Sequence, residues 1–294
     1  MRAGGVPRAS DSDRFSRMVR SRREVVNLGE EDWYELPSWY DILHSEGTAS
    51  EVDGLERLAE RYVRGDWRGG MRWLEPACGS GRYLRVIAGR GGVVYGFDRS
   101  EAMVAYARSS LERRGLRGRV WVAEMDGFVV PRRVRVEIAF VLISTVRHLM
   151  TDEALLSHLA CVAEALRPGG VYAVGLGMTA YGAEPESEDV WVGRRGPCEV
   201  TQVAQYLPPE RGRRRERVFN HLTVVTPRAE RHLDSTYELR SYSGPQWTRV
   251  LARSAFEPIA VVDEEGEEIG SVAQWSRDGV SGYGIWVLRR RGRG

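Results

Sequence analysis

Lysine is absent: all 43 basic residues of this 294-residue chain are arginine. We read that as base composition of the gene, not as chemistry. The arginines face 41 acids, for a net charge of +2, so no polyanionic partner is demanded. Cysteine is scarce and odd in number. Cys78, Cys161 and Cys198 stand far apart and form neither a zinc spacing nor a disulfide framework. A reducing compartment, the cytoplasm, is therefore expected. No apolar run approaches the roughly 18 residues of a membrane helix, so no membrane partner is expected. The opening "MRAGGVPRASDSDRFSRMVRSRR" is basic but lacks the apolar stretch of a secretory signal. No cluster of metal ligands stands out, and no catalytic metal is expected.

What is present is alternation. After a polar, Arg/Ser-rich segment, read as a mobile basic arm over 1–30, comes the aromatic "DWYELPSWYDILHS" (32–45). "SEVDGLERLAERYV" (50–63) has helical spacing at Val52, Leu55, Leu58 and Tyr62. Then "MRWLEP" reads as a buried strand, "GRYLRVIAG" as a helix and "GVVYGF" as a second strand. A helix follows with Ser100 as N-cap and Gly115 as stop. "RVWVAE" and "VEIAFVLI" are strands three and four. A helix from Thr151 to Pro168-Gly169-Gly170 leads to strand five, "VYAVGLGM".

Such alternation predicts an α/β fold: a Rossmann-like, doubly wound sheet of about seven strands with ligands at the strands' carboxyl ends. Beyond Met178 the pattern becomes two-faced strands joined by turns. These are expected to form a small antiparallel lid, 183–240, inserted after strand five. The core then comprises 31–182, with an N-terminal helical cover, and 241–289. A tail at 290–294 is expected to be disordered.

The stretch "EPACGSGR" joins strand one to its helix. Gly79 and Gly81 sit where the backbone turns sharply and a ligand approaches closely. Asp98 ends the second strand, 17 residues past Gly81. An acid there accepts from both hydroxyls of a ribose. Glu75 ends the first strand, where a dinucleotide's pyrophosphate would be repelled. The third glycine of the dinucleotide fingerprint is replaced by Leu84. A nucleoside carrying an ammonium group fits better, and S-adenosylmethionine is such a ligand.

From Trp73 to about Met178 the chain resembles class I S-adenosylmethionine-dependent methyltransferases. "LEPACGSG" resembles their first motif, with Ala77 where glycine is usual. "VVYGFDRSEAMVAYAR" resembles the second, which implies ribose binding by Asp98 and packing of Met103 on the adenine. "VAEMDGF" resembles the next, which implies that Asp126 accepts from the adenine amine. "FVLISTVRHL" and "EALRPGGVYAV" resemble the segments around strands four and five. The same stretches bring Arg99, Met125, Gly127 and Ile143 into the implied cofactor set. The family's acid at the start of strand four is Glu137 here. "WYDILH" before the core and a strand-rich insertion after it resemble small-molecule N-methyltransferases, including aminosugar N,N-dimethyltransferases and glycine N-methyltransferase-like enzymes.

The resemblance implies a small-molecule acceptor, most naturally an amine; the expected lid sheet can also serve as a homodimer surface. His148, just beyond strand four, is the candidate base or acceptor-orienting group. Tyr40 is placed to close over the methionine end of the cofactor. Ser144, Thr145 and Tyr34 are candidate substrate contacts. His221 and His232 either reach substrate or are solvated strand positions. No DNA substrate is expected, because "ISTVRHL" stands where DNA adenine methyltransferases grip the base. Two alternatives remain: an RNA or protein methyltransferase using the arginine turn "ERGRRRER" (210–217), and a non-catalytic S-adenosylmethionine-binding protein.

Overall fold

The computed structural model describes residues 24–30, 32–65, 70–131, 134–209 and 212–292. In chain order the strands are β1 (Glu24–Glu30), β2 (Arg72–Pro76), β3 (Val93–Asp98), β4 (Gly118–Val122), β5 (Val136–Val141), β6 (Leu166–Met178), β7 (Ser187–Arg195), β8 (Cys198–Leu207), β9 (Arg215–Val225), β10 (Ala229–Arg240), β11 (Phe256–Val262) and β12 (Gly282–Arg290). The helices are α1 (Pro37–His44), α2 (Thr48–Tyr62), α3 (Arg82–Gly89), α4 (Glu101–Glu112), α5 (Asp152–Ala165), α6 (Gly244–Ala252) and the single turn α7 (Val272–Trp275). Short 3-10 turns cover Trp33–Glu35 and Thr145–His148.

The main sheet has seven strands in the order β11-β12-β6-β5-β2-β3-β4. Strands β4, β3, β2, β5 and β6 run parallel, and β12 is antiparallel to both neighbours. The expected doubly wound, Rossmann-like sheet is thus present. Its central strands are buried on both faces, so apolar neighbours in sequence enter different cores. Leu74 packs with Leu155 and Leu159 of α5 and Trp247 of α6. Trp73 packs on the other face with Leu55 of α2, Leu84 of α3 and Val104 of α4. The chain order reverses between β2 and β5, which opens a crevice at their carboxyl ends.

Ser100 and Thr151 cap α4 and α5 as expected, accepting from the N–H of Met103 and Ala154. The end of α5 differs. The helix stops at Ala165 and not at Pro168-Gly169-Gly170, because Leu166 already pairs with Val136 at the start of β6. Pro168 keeps Arg167 from helical geometry, and the strand absorbs the glycines through a register shift.

The second sheet has the order β1-β10-β9-β8-β7, antiparallel from β7 to β10. Its alternating residues Val200, Leu222, Val224 and Leu233 bury against Trp33 and Leu43 of the N-terminal segment. Gly193 of β7 allows this contact. A methyl group placed there would lie 2.2 Å from the Ile42 carbonyl oxygen. The arm expected over 1–30 differs from the structure in one part: residues 24–30 form β1, parallel to β10. The rest of that segment lies outside the described residues, as do the last two residues of the tail expected at 290–294. Arg290 itself completes β12. Among the described residues no helix is long and apolar enough to cross a membrane.

Candidate active site

The loop between β2 and α3 holds three residues in the left-handed region: Ala77 (φ 50°), Gly79 (φ 51°) and Gly81 (φ 71°). This explains why glycine suits position 77, and why alanine there carries backbone strain on the order of 1 kcal/mol. A methyl group on Gly81 would lie 3.0 Å from Ala107 Cβ of α4, so the loop also packs tightly on that helix.

Asp98 closes the loop from below. Its Oδ2 accepts from the Gly79 N–H at 2.8 Å and its Oδ1 from the Ser100 N–H at 3.0 Å. Burial raises the Asp98 pKa, and those two N–H groups pull it back. Each oxygen keeps a further lone pair for a ligand hydroxyl.

Glu75 is 6% exposed, and its Oε2 has no hydrogen-bond partner among the described residues. Burial drives its pKa well above the ordinary carboxylate range, against the pull of Arg82 and Arg85. A buried carboxylate without a partner is costly. Here it sits at the carboxyl end of β2, where an incoming cation would satisfy it.

Tyr40 lies on the loop: a methyl group on Gly79 would be 3.3 Å from Tyr40 Cε1. Burial, with Asp98 and Glu75 nearby, pushes its pKa up to about 12, although Arg82 opposes this. The phenol therefore keeps its proton and can donate, but cannot act as a base near neutrality. The neighbouring Asp41, which sequence reasoning missed, is 3% exposed. Its Oδ1 accepts from Ser80 Oγ of the loop (2.7 Å) and from Arg85 of α3. Its Oδ2 accepts from Tyr106 of α4 (2.9 Å) and Arg195 of β7 (2.8 Å). Burial raises its pKa, but Arg85, Ser80 and Arg195 outweigh burial and hold it below the usual value. One carboxylate thus joins the helical cover, the glycine loop and the second sheet. The only sequence signal for it is its place after Tyr40 in "WYDILH".

The 3-10 turn Trp33–Glu35 is tied over the same crevice. Glu35 Oε2 accepts from Ser100 Oγ at 2.8 Å, and Asp32 pairs with Arg99 at 3.3 Å. The turn carries Tyr34 into an aromatic group, with ring centroids 6.1 Å from Tyr40, 5.7 Å from His148 and 6.1 Å from Tyr237. Burial, then Tyr237 and Tyr40, raise the Tyr34 pKa. His148 opens toward solvent on one side and faces Tyr34 and Tyr237 on the other. That enclosure, helped by Arg99 and Arg147, lowers its pKa to about 4, so the imidazole is neutral at pH 7.

Ser144 and Thr145 are structural as well as near the site, because their hydroxyls hold the turn that bears His148. Ser144 Oγ accepts from the Gly177 N–H at 2.9 Å, and Thr145 Oγ1 donates to the Leu142 carbonyl at 2.8 Å. Ile143 and Ser144 adopt φ of 53° and 56°, which turns the backbone out of β5. Exposed Ile143 is anchored by its N–H, which meets the Tyr283 hydroxyl at 3.0 Å.

Met103 is 1% exposed. Met125 is half-buried, and its carbonyl accepts from His158 Nδ1 at 2.8 Å. Asp126 and Gly127 are exposed at the rim. Glu137 lies at the amino end of β5, the far end of the sheet, where it accepts from Arg72 and Arg167. Behind His148, Arg147 pairs with Glu216 of β9 at 2.8 Å and donates to the Arg240 carbonyl. In the described part of the arginine turn, Arg214 pairs with Asp152 and Arg215 with Glu238. His221 and His232 lie on the outer face of the second sheet, opposite the side where Leu222 and Leu233 are buried.

Residues 74–170 match the family described as a methyltransferase domain. No curated protein sequence matches the chain. Among solved structures, the chain is similar to DesVI from Streptomyces venezuelae, with a TM-score of 0.66 and 20% identity over 89% of this chain and 99% of that one. It is similar to S-adenosylmethionine-bound CalS10, an amino pentose methyltransferase from Micromonospora echinaspora, with a TM-score of 0.57 and 18% identity over 98% and 100%. It is also similar to KedS8, a sugar N-methyltransferase from Streptoalloteichus sp ATCC 53650, with a TM-score of 0.58 and 18% identity over 99% of each chain. At these identities the likeness shows a shared fold.

Proposed function

With a methyltransferase domain at residues 74–170 as the premise, we propose that the chain moves a methyl group from S-adenosylmethionine to an amine nitrogen of a small molecule. The unpartnered, buried Glu75 Oε2 beside Asp98 carries this reading. An α-ammonium group suits Glu75 and a ribose diol suits Asp98, whereas a pyrophosphate suits neither. The sugar N-methyltransferase of like fold supports the choice of nitrogen, and the amino pentose methyltransferase supports an aminated small molecule. The free cysteines support a reducing compartment, the cytoplasm.

When bound, S-adenosylmethionine supplies a methyl group already activated by its sulfonium. The protein's task is alignment and exclusion of water. Tyr34 and Tyr40 wall the crevice as protonated, apolar-faced phenols. His148, neutral, accepts a hydrogen bond from the amine N–H and so directs the nitrogen lone pair. Its lowered pKa works against keeping the proton that the methylated amine later sheds. It is an orienting group more than a base.

Two results follow from these roles. His148→Ala lowers turnover more than it lowers cofactor affinity, and His148→Gln, which keeps an acceptor, loses less. The wild-type rate shows no limb at the ordinary histidine pKa; a limb near 6.5 that vanishes in His148→Gln would return His148 to the role of base. Asp98→Ala weakens S-adenosylmethionine binding by about 1–3 kcal/mol, roughly 5- to 150-fold, and calorimetric titration reads this directly.

The overall test is calorimetric titration of the full chain with S-adenosylmethionine, S-adenosylhomocysteine and NAD. Saturable binding of the two sulfur ligands without NAD binding is expected and opens an acceptor screen beginning with amines. NAD binding with silence for both sulfur ligands would overturn the reading. Arg214 and Arg215 of the arginine turn are paired within the chain, which gives no support to an RNA substrate.

A further inference from the structure

The outer face of the second sheet carries a row of side chains that the methyltransferase reading does not use. His221 and Thr223 project from β9, and Glu230, His232 and Asp234 from β10. In the register His221 pairs with Asp234 and Thr223 with His232, while Asn27 of β1 lies beside His232.

One hydrogen bond sets a tautomer. Asp234 Oδ1 lies 2.7 Å from His221 Nδ1, and a carboxylate only accepts, so His221 carries its proton there and leaves a bare lone pair on Nε2. Glu230 Oε1 lies 3.2 Å from His232 Nε2 at ion-pair distance. The inner nitrogens, His221 Nε2 and His232 Nδ1, lie 3.3 Å apart, and His232 Nδ1 also carries a bare lone pair when its ring proton sits on Nε2, toward Glu230. The ring centroids are 5.4 Å apart, farther than the nitrogens, so the two nitrogens point toward each other. Thr223 Oγ1 is 3.3 Å from one and 3.2 Å from the other, and its single proton can satisfy only one of them.

In that tautomer the two lone pairs face each other and repel unless a cation joins them. Metal–imidazole bonds of about 2.0–2.1 Å at a tetrahedral angle place two ring nitrogens about 3.3 Å apart. The observed spacing already meets that requirement. The outer carboxylates match the second shell that orients metal-bound histidines and raises their basicity. Imidazole donors favour zinc, copper or nickel over magnesium or calcium. The side chains of His221 and His232 are 45% and 26% exposed, so an ion can enter from solvent. Among the described residues no three His, Cys, Asp or Glu side chains converge as ligands. The ion would therefore have two protein nitrogens and fill its remaining positions with water or the Thr223 hydroxyl.

We propose that His221 Nε2 and His232 Nδ1 bind a divalent transition-metal ion, with zinc as the probe, clasping β9 to β10 on the outer face of the second sheet. The ion is distinct from the methyl-transfer site and takes no part in its chemistry. It reinforces the end of the sheet where β1 docks.

The test is calorimetric titration of the full, chelator-stripped chain with zinc chloride, together with a melting curve with and without zinc. Saturable binding and a higher melting temperature are expected. Both are lost in His221→Ala and in His232→Ala, and Asp234→Asn weakens binding by about 10- to 100-fold. Cysteine thiolates also take zinc, so the comparison that decides is wild type against the double variant His221→Ala/His232→Ala. Equal binding by the two, or no saturable uptake by the wild type, overturns the proposal. So does nitrogen-15 resonance evidence for a proton held between the two rings under conditions where zinc is not taken up.

Discussion

Glu75→Gln is expected to bind S-adenosylmethionine more weakly by about 2–5 kcal/mol, roughly 30- to several-thousand-fold, while melting at or above the wild-type temperature at neutral pH. The two changes have opposite signs because the same carboxylate is a liability without ligand and a partner with it. Burial raises its pKa, so the folded chain favours the protonated form. Stability from this group is present below the ordinary carboxylate pKa. It is lost as pH rises from there through the raised folded value. Glutamine has nearly the same shape and no charge, so it removes that loss. A cationic ligand reverses the preference by favouring the carboxylate, and binding then releases a proton at pH values below the apo pKa. Titration in buffers of different ionisation enthalpy measures that release. Unchanged affinity in Glu75→Gln, or a variant that melts well below the wild type, would remove Glu75 from the ammonium site.

Asp41→Ala should cost about 3–5 kcal/mol of folding stability, the usual result of stripping a buried ion pair of one partner. Arg85, whose side chain is 13% exposed, would keep its charge without its carboxylate. Ser80 and Tyr106 would each lose an acceptor. Because Ser80 belongs to the glycine loop and Arg195 to β7, cofactor affinity should fall together with stability. Asp41→Asn keeps one acceptor oxygen, for Ser80 or for Tyr106, but not the charge, and should fall between. The pH dependence has the opposite sense to that of Glu75. The Asp41 pKa is depressed in the fold, so its contribution is present above the ordinary aspartate pKa and is lost as pH falls through the folded value. Urea unfolding with calorimetric titration checks both quantities. If both variants unfold like the wild type, Asp41 is not the joint described.

Much of this was legible from local chemistry. Ser100 and Thr151 are caps because a hydroxyl just before a helix accepts its orphan N–H groups. Trp73 and Leu74 announce a strand covered on both faces because consecutive apolar residues point to opposite sides. Asp98 and Glu75 could be singled out because each ends a strand that the pattern places beside the crevice.

Other features escaped for physical reasons. β1 has no stabilising pattern of its own: its Val25 remains exposed, and the strand forms only by pairing in parallel with the distant β10. The early end of α5 reflects pairing with β5, a tertiary preference that overrides the Pro-Gly-Gly signal. The outer-face histidines read as solvated positions, since nothing in "FNHLTVV" or "ERHLDS" shows that the hairpin register turns two ring nitrogens toward each other.

The sequence by itself determined the alternation of strands and helices, the glycine loop and the two acids beneath it. Each of those depends on residues close in the chain and on the hydrophobic period. Tertiary structure alone decided which acid stands unpaired and which is held by four partners. It also decided that His148 is neutral among aromatic rings. A carboxylate's or imidazole's protonation follows the dielectric and the charges around it, and those are supplied by elements far away in sequence.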